Sequence, residues 1–243
     1  MIKQIKKEGK GNFEILKRGI MYMLRRISYP IGILKILNKN TYGAEKVLNF
    51  IFSNSGYIIF TMQKKEELRA MLKIIEKQKP KNILEIGTAN GGTLFSICRT
   101  SPEDAKIISL DLPGGKFGGG YKFWRRYLYF LFKMGKQKLY LIRADSHTKE
   151  AQIKVAKLLD HDKLDFLFID GDHSYGGVKK DFQMYSKFVK NKGIIAFHDI
   201  NITFNDSRVY KFWKEVRKKY PSKEFIYEPE IGWAGIGIIE FNR

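Results

Sequence analysis

Apolar residues fall along this chain in two alternating rhythms. Short, nearly continuous apolar runs cover residues 83–86, 106–111, 138–143, 164–170 and 193–197. Such runs, bounded by Gly, Pro or acidic residues, predict buried strands. Between them the apolar positions recur at helical spacing. The stretch 63–79 carries Leu68, Met71, Leu72 and Ile75 on one face. The stretch 175–189 carries Val178, Phe182, Tyr185 and Val189, and 207–219 carries Val209, Phe212, Trp213 and Val216. Residues 44–52 and 151–159 read as shorter helices. Strands alternating with helices predict an α/β fold with a mainly parallel sheet. Two last strands, at 225–227 and 234–241, have no helix between them and predict a hairpin, hence one antiparallel strand. Ahead of this pattern, Phe13, Leu16, Ile20, Met23, Leu24 and Ile27 follow helical spacing up to Pro30. The expected organisation is a helical extension over 1–60 and an α/β domain over 61–243.

Composition narrows the picture. A chain of 243 residues, 44% hydrophobic and 14% aromatic, can bury one sizeable α/β core. The single Cys98 excludes an internal disulfide framework and a cysteine metal cluster, and it sits in an apolar helix as a small hydrophobe. No apolar run reaches the roughly 20 residues of a membrane span. Residues 1–20 alternate basic, polar and apolar, unlike a signal peptide, so a cytoplasmic location is expected. The net charge of +20 opens nucleic acid, anionic membrane or acidic substrates as partners. Residues 1–40 hold ten Lys and Arg against Glu8 and Glu14. Arg18, Arg25 and Arg26 lie largely off the apolar stripe, a pattern that can rest on an anionic membrane surface as a peripheral contact. A second basic excess runs from Lys116 to Lys138, with no acid between Pro113 and Ile142.

The chemistry is concentrated where the strands end. The first strand runs into Gly87-Thr88-Ala89-Asn90-Gly91-Gly92 and then into a helix. Strand, glycine turn and helix open a doubly wound, Rossmann-like fold, and the helix start offers free N–H donors to a ligand. Ala89 stands where the dinucleotide fingerprint has its second glycine. Glu85 lies inside the strand, and an acid there suits a cationic ligand better than a pyrophosphate. Asp111 ends the second strand about 20 residues on, where doubly wound folds bond ribose hydroxyls. The later strands end in Asp145-Ser146-His147, Asp170-Gly171-Asp172-His173 and His198-Asp199. In a parallel sheet all these ends share one edge. Five glycines between Pro113 and Tyr121 predict a flexible loop at that edge, able to act as a lid.

The stretches EIGTANGGT (85–93), DLPGGKFGGGY (111–121), RADSH (143–147), FIDGDHSYGGVKKDF (168–182) and KGIIAFHDI (192–200) resemble class I S-adenosylmethionine-dependent methyltransferases. Within that class they are similar to methyltransferase family 24, related to a cephalosporin-hydroxylase-like group. The resemblance covers about 81–199, roughly half of the chain, with 235–241 also fitting and 1–60 outside it. It implies a seven-stranded sheet with the last strand antiparallel, and S-adenosylmethionine as cofactor. It implies that Glu85, Gly87 and Gly91 hold the methionine end, with Thr88 and Ala89 also binding the cofactor. Asp111 would take the ribose hydroxyls, and Asp145 and Ser146 would lie by the adenine. Asp170, His173, His198 and Asp199 form the expected catalytic edge.

Two ways of activating a hydroxyl acceptor stand open at that edge. His173 or His198 can serve as general base, since imidazole titrates near neutrality. Asp170 and Asp199 can hold Mg2+, as similar strand-end acids do in related oxygen methyltransferases. His198 occupies a place where many relatives have an acid or an amide, which favours the histidine. The expected function is O-methylation of a small molecule, such as a sugar or glycan precursor. The alternatives are a nucleic-acid methyltransferase, or a cofactor-binding protein or oxygenase on the same fold. The Asn/Asp-Pro-Pro-Tyr/Phe signature of amino-group methyltransferases is missing, because the fourth strand ends Ile169-Asp170-Gly171-Asp172. Specific nucleic-acid binding is therefore not expected. The acceptor and the oligomeric state have no signature in the sequence.

Overall fold

The computed structural model describes residues 42–53, 59–114, 125–202 and 207–242. Its helices, in chain order, are α1 (Ala44–Phe52), α2 (Lys65–Gln78), α3 (Gly92–Thr100), α4 (Arg125–Phe130), α5 (Lys149–Leu159), α6 (Tyr175–Tyr185) and α7 (Val209–Val216). The strands are β1 (Asn82–Ile86), β2 (Lys106–Asp111), β3 (Lys138–Arg143), β4 (Leu164–Ile169), β5 (Val189–His198), β6 (Ser222–Phe225) and β7 (Ile236–Phe241). They form one seven-stranded sheet in the order β3-β2-β1-β4-β5-β7-β6. The strands β1 to β5 are parallel. Only β7 runs against its neighbours β5 and β6, as the missing helix before it predicts.

Alternation along each strand splits the core into two layers. Ile83, Phe166 and Phe168 face one layer with α1, α2 and α3, whose Leu48, Leu68, Leu72 and Phe95 are fully buried. Leu84, Ile86, Leu167 and Ile169 face the other, with Val155, Val178 and Trp213 from α5, α6 and α7. Both faces of β1 and β4 are thus covered, which is why these strands read as unbroken apolar runs. Helix α1 belongs to the first layer through Ala44, Val47, Leu48 and Ile51. The helix expected before Pro30, with its membrane contact, lies outside the described residues. So does the glycine-rich loop beyond Gly114, up to residue 124.

Four elements differ from expectation. β5 begins at Val189 rather than at 193, because its register shifts opposite Leu164 and Phe166 and lengthens the pairing. Helix α6 therefore stops at Tyr185, and a single 3-10 turn, Ser186–Phe188, leads into the strand. Helix α7 starts at Val209, since the Arg208 N–H is drawn to the His173 carbonyl, 2.8 Å away. β6 is Ser222–Phe225 rather than 225–227. It is an edge strand whose place is set by pairing with β7 and not by its own hydrophobicity. The Tyr227 N–H donates instead to Glu67 Oε1 at 3.0 Å, outside any ladder.

Candidate active site

The turn after β1 is tight for reasons of packing. Gly87 has φ +88°, and a Cβ there would stand 1.9 Å from the Asp170 carbonyl oxygen. Gly91 has φ +79°, and a Cβ there would meet the Tyr129 ring at 2.7 Å. Tyr129, buried at the end of α4, also donates its hydroxyl to the Ala89 carbonyl at 3.0 Å. Both glycines therefore let the turn lie against the protein itself. Ala89 takes φ +45° between them, a conformation that non-glycine residues hold only when their surroundings insist. The basic, aromatic segment beyond the glycine loop thus supplies a brace for the turn, a role its sequence does not announce.

Glu85 lies beneath the turn with no exposed surface. Its Oε2 accepts the Thr88 hydroxyl at 2.9 Å, and Oε1 has no hydrogen-bond partner among the described residues. Thr88 also bonds Ser109 of β2. Burial pushes the Glu85 carboxyl well above its ordinary range against the pull of Thr88, and the charges of Asp111 and Asp170 push the same way. Asp111, almost fully buried at the end of β2, accepts the Leu112 N–H on Oδ1 at 3.1 Å. Asp145 is exposed after β3, and the Ser146 carbonyl accepts the Tyr185 hydroxyl at 2.8 Å. His147, next along, is engaged by Asp181 at 3.3 Å and stands apart from the cluster described next.

Asp170, His173, His198 and Asp199 converge on one point. His173 Nδ1 lies 2.7 Å from Asp199 Oδ2, and its Nε2 lies 3.6 Å from Asp170 Oδ1. His198 Nδ1 sits between the two acids, 3.1 Å from Asp170 Oδ1 and 3.1 Å from Asp199 Oδ1. Ser174, whose hydroxyl accepts the Gly177 N–H, caps α6 directly after His173. Asp199 holds φ +61°, which turns its carboxylate back toward the two rings. Burial disfavours a charged His198, but Asp170 and then Asp199 outweigh it, and the imidazole is pushed up to about 9. His173 is raised too, with burial opposing and Asp199 and Asp170 prevailing. Burial likewise opposes the Asp199 charge, yet His198 and His173 hold that carboxyl below its ordinary range.

Gln63 completes the cluster and was not legible as a site residue. Its Nε2 donates to Asp170 Oδ2 at 2.7 Å, across 107 positions of sequence. Its Oε1 accepts the hydroxyls of Thr61 and Thr93. The amide is thereby oriented, and through it the Asp170 carboxylate. Asp170, His173 and Asp199 each offer one donor atom, all within 4.8 Å of one another, a spacing that would admit a metal ion.

A family model described as a methyltransferase domain matches residues 84–200. Tapetum-specific methyltransferase 1 of Arabidopsis thaliana is 31% identical over 133 residues, 54% of this chain and 50% of that protein. Caffeoyl-CoA O-methyltransferase of Populus kitakamiensis is 29% identical over 136 residues, 54% of this chain and 52% of that protein. The chain spans about half the length of these two relatives. Among solved structures, the O-methyltransferase from Bacillus cereus in complex with SAH is similar, with a TM-score of 0.57 and 15% identity. That likeness covers 82% of this chain and 90% of the other, and at such identity it speaks for the fold. All five of the quoted motif stretches lie within residues 84–200, the part of the chain that matches the methyltransferase domain model.

Proposed function

We propose that this chain is an S-adenosylmethionine-dependent methyltransferase that methylates a hydroxyl group of a small molecule. One observation carries the reading. The glycine turn rests directly on the Asp170 backbone, so the turn and the carboxylate–imidazole cluster share a wall. A donor held on the turn has its reacting end beside the cluster. The residues fit such a cofactor: a buried acid with a partnerless oxygen, a braced turn, and an acid ending β2. Glu85, Gly87, Thr88, Ala89 and Gly91 would face its methionine end, Asp111 its ribose, and Asp145 and Ser146 its adenine. When bound, the cofactor supplies an electrophilic methyl group on a sulfonium.

The chain's own residues then orient and deprotonate the acceptor. Methyl transfer gains most from holding the oxygen in line with the methyl group. Asp199 orients His173 through Nδ1, and Nε2, 3.6 Å from Asp170 Oδ1, is the nitrogen that would take the hydroxyl proton. His198, kept cationic between two carboxylates, favours negative charge growing on the acceptor oxygen. This reassigns the two histidines: one is the base, and the other is too firmly protonated for that role near neutrality.

A second reading is favoured by the spacing of Asp170, His173 and Asp199, which suits a divalent cation. An imidazole nitrogen in that set suits Mn2+ or Zn2+ better than the Mg2+ expected from the two acids alone. The acceptor class is open between a sugar or glycan precursor and an aromatic hydroxyl of the kind in the Populus relative's name.

Labelled methyl transfer to a metabolite extract tests the proposal. His173→Asn should lower the rate by about 100- to 10,000-fold. With a histidine base the rate rises with pH through the raised His173 value, so its acid limb lies above the ordinary imidazole range, and chelator has no effect. Loss of activity with chelator, restored by Mn2+ or Mg2+, selects the cation instead. A rate unaffected by His173→Asn and by chelator would remove both.

A further inference from the structure

The loop after β3 is tied to α6 by a buried ion pair outside the carboxylate–imidazole cluster. Asp181 of α6 has no exposed surface, and its oxygens make no well-formed hydrogen bond among the described residues. Its counter-charge is His147, whose Nε2 lies 3.3 Å from Asp181 Oδ1. The same nitrogen lies 3.2 Å from the Gly177 carbonyl, also on α6. Further along the helix, the Tyr185 hydroxyl donates to the Ser146 carbonyl at 2.8 Å. A carboxylate buried so completely is costly unless a cation answers it, so the pair holds loop and helix together. Within the loop, the His147 N–H donates to Asp145 Oδ1 at 2.8 Å, and the Thr148 hydroxyl to the Asp145 carbonyl at 2.8 Å. A pull on His147 is therefore felt at Asp145 and Ser146.

Asp181 also touches the wall that the glycine turn shares with the cluster. Its Oδ2 is 3.2 Å from where a Cβ on Gly171 would stand, and the Gly171 nitrogen is 3.0 Å from where a Cβ on Gly87 would stand. Contact thus runs from the glycine turn through Gly171 to Asp181, and from there to His147. Nε2 of His147 faces two acceptors, so it carries a proton in either charge state. A second proton, at Nδ1, adds the positive charge. The charged groups acting on His147 are Asp181 on α6, Asp145 on its own loop and Asp172 on the loop before α6, all acids. Asp181, as the close partner, raises the imidazole above its ordinary value against the cost of burial. Tyr185, the titratable neighbour on α6, is pushed up by burial and stays neutral.

We propose that His147 is a positioning residue for the cofactor: protonated, it latches the Asp145–Ser146 loop onto α6 through Asp181, and the adenine end is held more weakly once that proton is lost. This rests on the methyltransferase reading, in which the adenine lies beside Asp145 and Ser146. It adds to that reading a pH-sensitive hold on the cofactor, set by groups that take no part in methyl transfer. The latch is complete below the ordinary imidazole range and slackens as pH rises through the raised value. By reciprocity, bound cofactor makes His147 hold its proton more firmly.

Titration calorimetry and histidine NMR on the full chain, over about pH 6 to 9, test this with S-adenosylhomocysteine as the probe. The variant is His147→Gln, which keeps a donor for Gly177 and Asp181 but carries no charge. The side chain is partly exposed, so the variant should fold. At the acid end the wild type should bind S-adenosylhomocysteine about fivefold more tightly than the variant, and the ratio should close to about one as His147 titrates. Taking the ratio cancels Glu85, His173 and His198, which titrate in both proteins. The wild-type imidazole signal that the variant lacks should titrate above the ordinary value, and S-adenosylhomocysteine should move it higher still. A ratio that is the same at every pH marks a merely structural contact and overturns the latch, as does a His147 titration that S-adenosylhomocysteine leaves unmoved. If the wild type binds no S-adenosylhomocysteine, the methyltransferase reading fails by itself. Hydrogen exchange at the amides of residues 144–148 then judges the latch on the unliganded chain. Their protection at acid pH should exceed that in His147→Gln, and equal protection in the two proteins sinks the latch.

Discussion

Glu85 is a side chain set against the stability of the fold. It has no exposed surface, one oxygen without a partner among the described residues, and the charges of Asp111 and Asp170 nearby. Its folded-state pKa is raised, first by burial, so the folded protein holds a proton that the unfolded chain releases. The contribution is fully present below the ordinary carboxyl value and is lost as pH rises toward the raised one. As pH rises above the ordinary carboxyl range toward the raised value, the unliganded wild type should therefore lose thermal stability relative to Glu85→Gln. Melting curves of the two proteins over that range check this, and curves that stay parallel would mean Glu85 titrates normally. The acid itself was legible, inside a strand before a glycine turn. Its orphaned oxygen and its distance from solvent were not, because both depend on Thr88, Ser109 and the strands on either side.

At the scale of elements, apolar runs declared β1, β2 and β4 because each is covered on both faces, while β3, at the end of the sheet, leaves Tyr140 and Leu141 only partly buried. Helices α2 and α7 were legible from their apolar stripes, and all four expected inward residues of each are buried. The edge of the sheet was harder to read. β6 is short and polar, and its pairing is dictated by β7. Trp213 is what joins α7 to that edge. Its ring packs so closely on β7 that a Cβ on Gly237 would come within 2.7 Å of it, and its Nε1 donates to Glu224 of β6. Trp213→Ala should cost about 3–5 kcal/mol in urea denaturation, the usual loss for an aromatic core residue. A loss under about 1 kcal/mol would mean the edge holds without it. Gln63 and Glu67 escaped the sequence reading for a common reason. Their partners lie 107, 160 and 168 positions away, and nothing local marks an amide or an acid at a helix start as reaching across the molecule.

For the molecule as a whole, every polar strand end from β1 to β5 lies on one edge, as a parallel sheet requires. That topological argument brought Asp170, His173, His198 and Asp199 together before any geometry was known. The basic N-terminal segment that motivates membrane contact lies outside the described residues, and among those described no helix is long and apolar enough to cross a membrane. We propose that 1–60 precedes the catalytic domain of 61–243, with α1 fastening the two. A net charge of +20 should give weak, sequence-independent binding to DNA that falls steeply with salt. Filter binding over a salt series measures this. A nanomolar, sequence-selective complex at physiological salt would make nucleic acid the substrate instead.

The central claim is that the turn from Gly87 to Gly91 and Asp111 hold S-adenosylmethionine. Titration calorimetry with its demethylated product, S-adenosylhomocysteine, tests this without knowledge of the acceptor. The wild type should bind one equivalent, and Asp111→Ala should weaken binding by about 1–3 kcal/mol, the cost of a lost charged hydrogen bond. A wild type that takes up no heat, or an Asp111→Ala variant that binds as tightly as the wild type, would contradict the account.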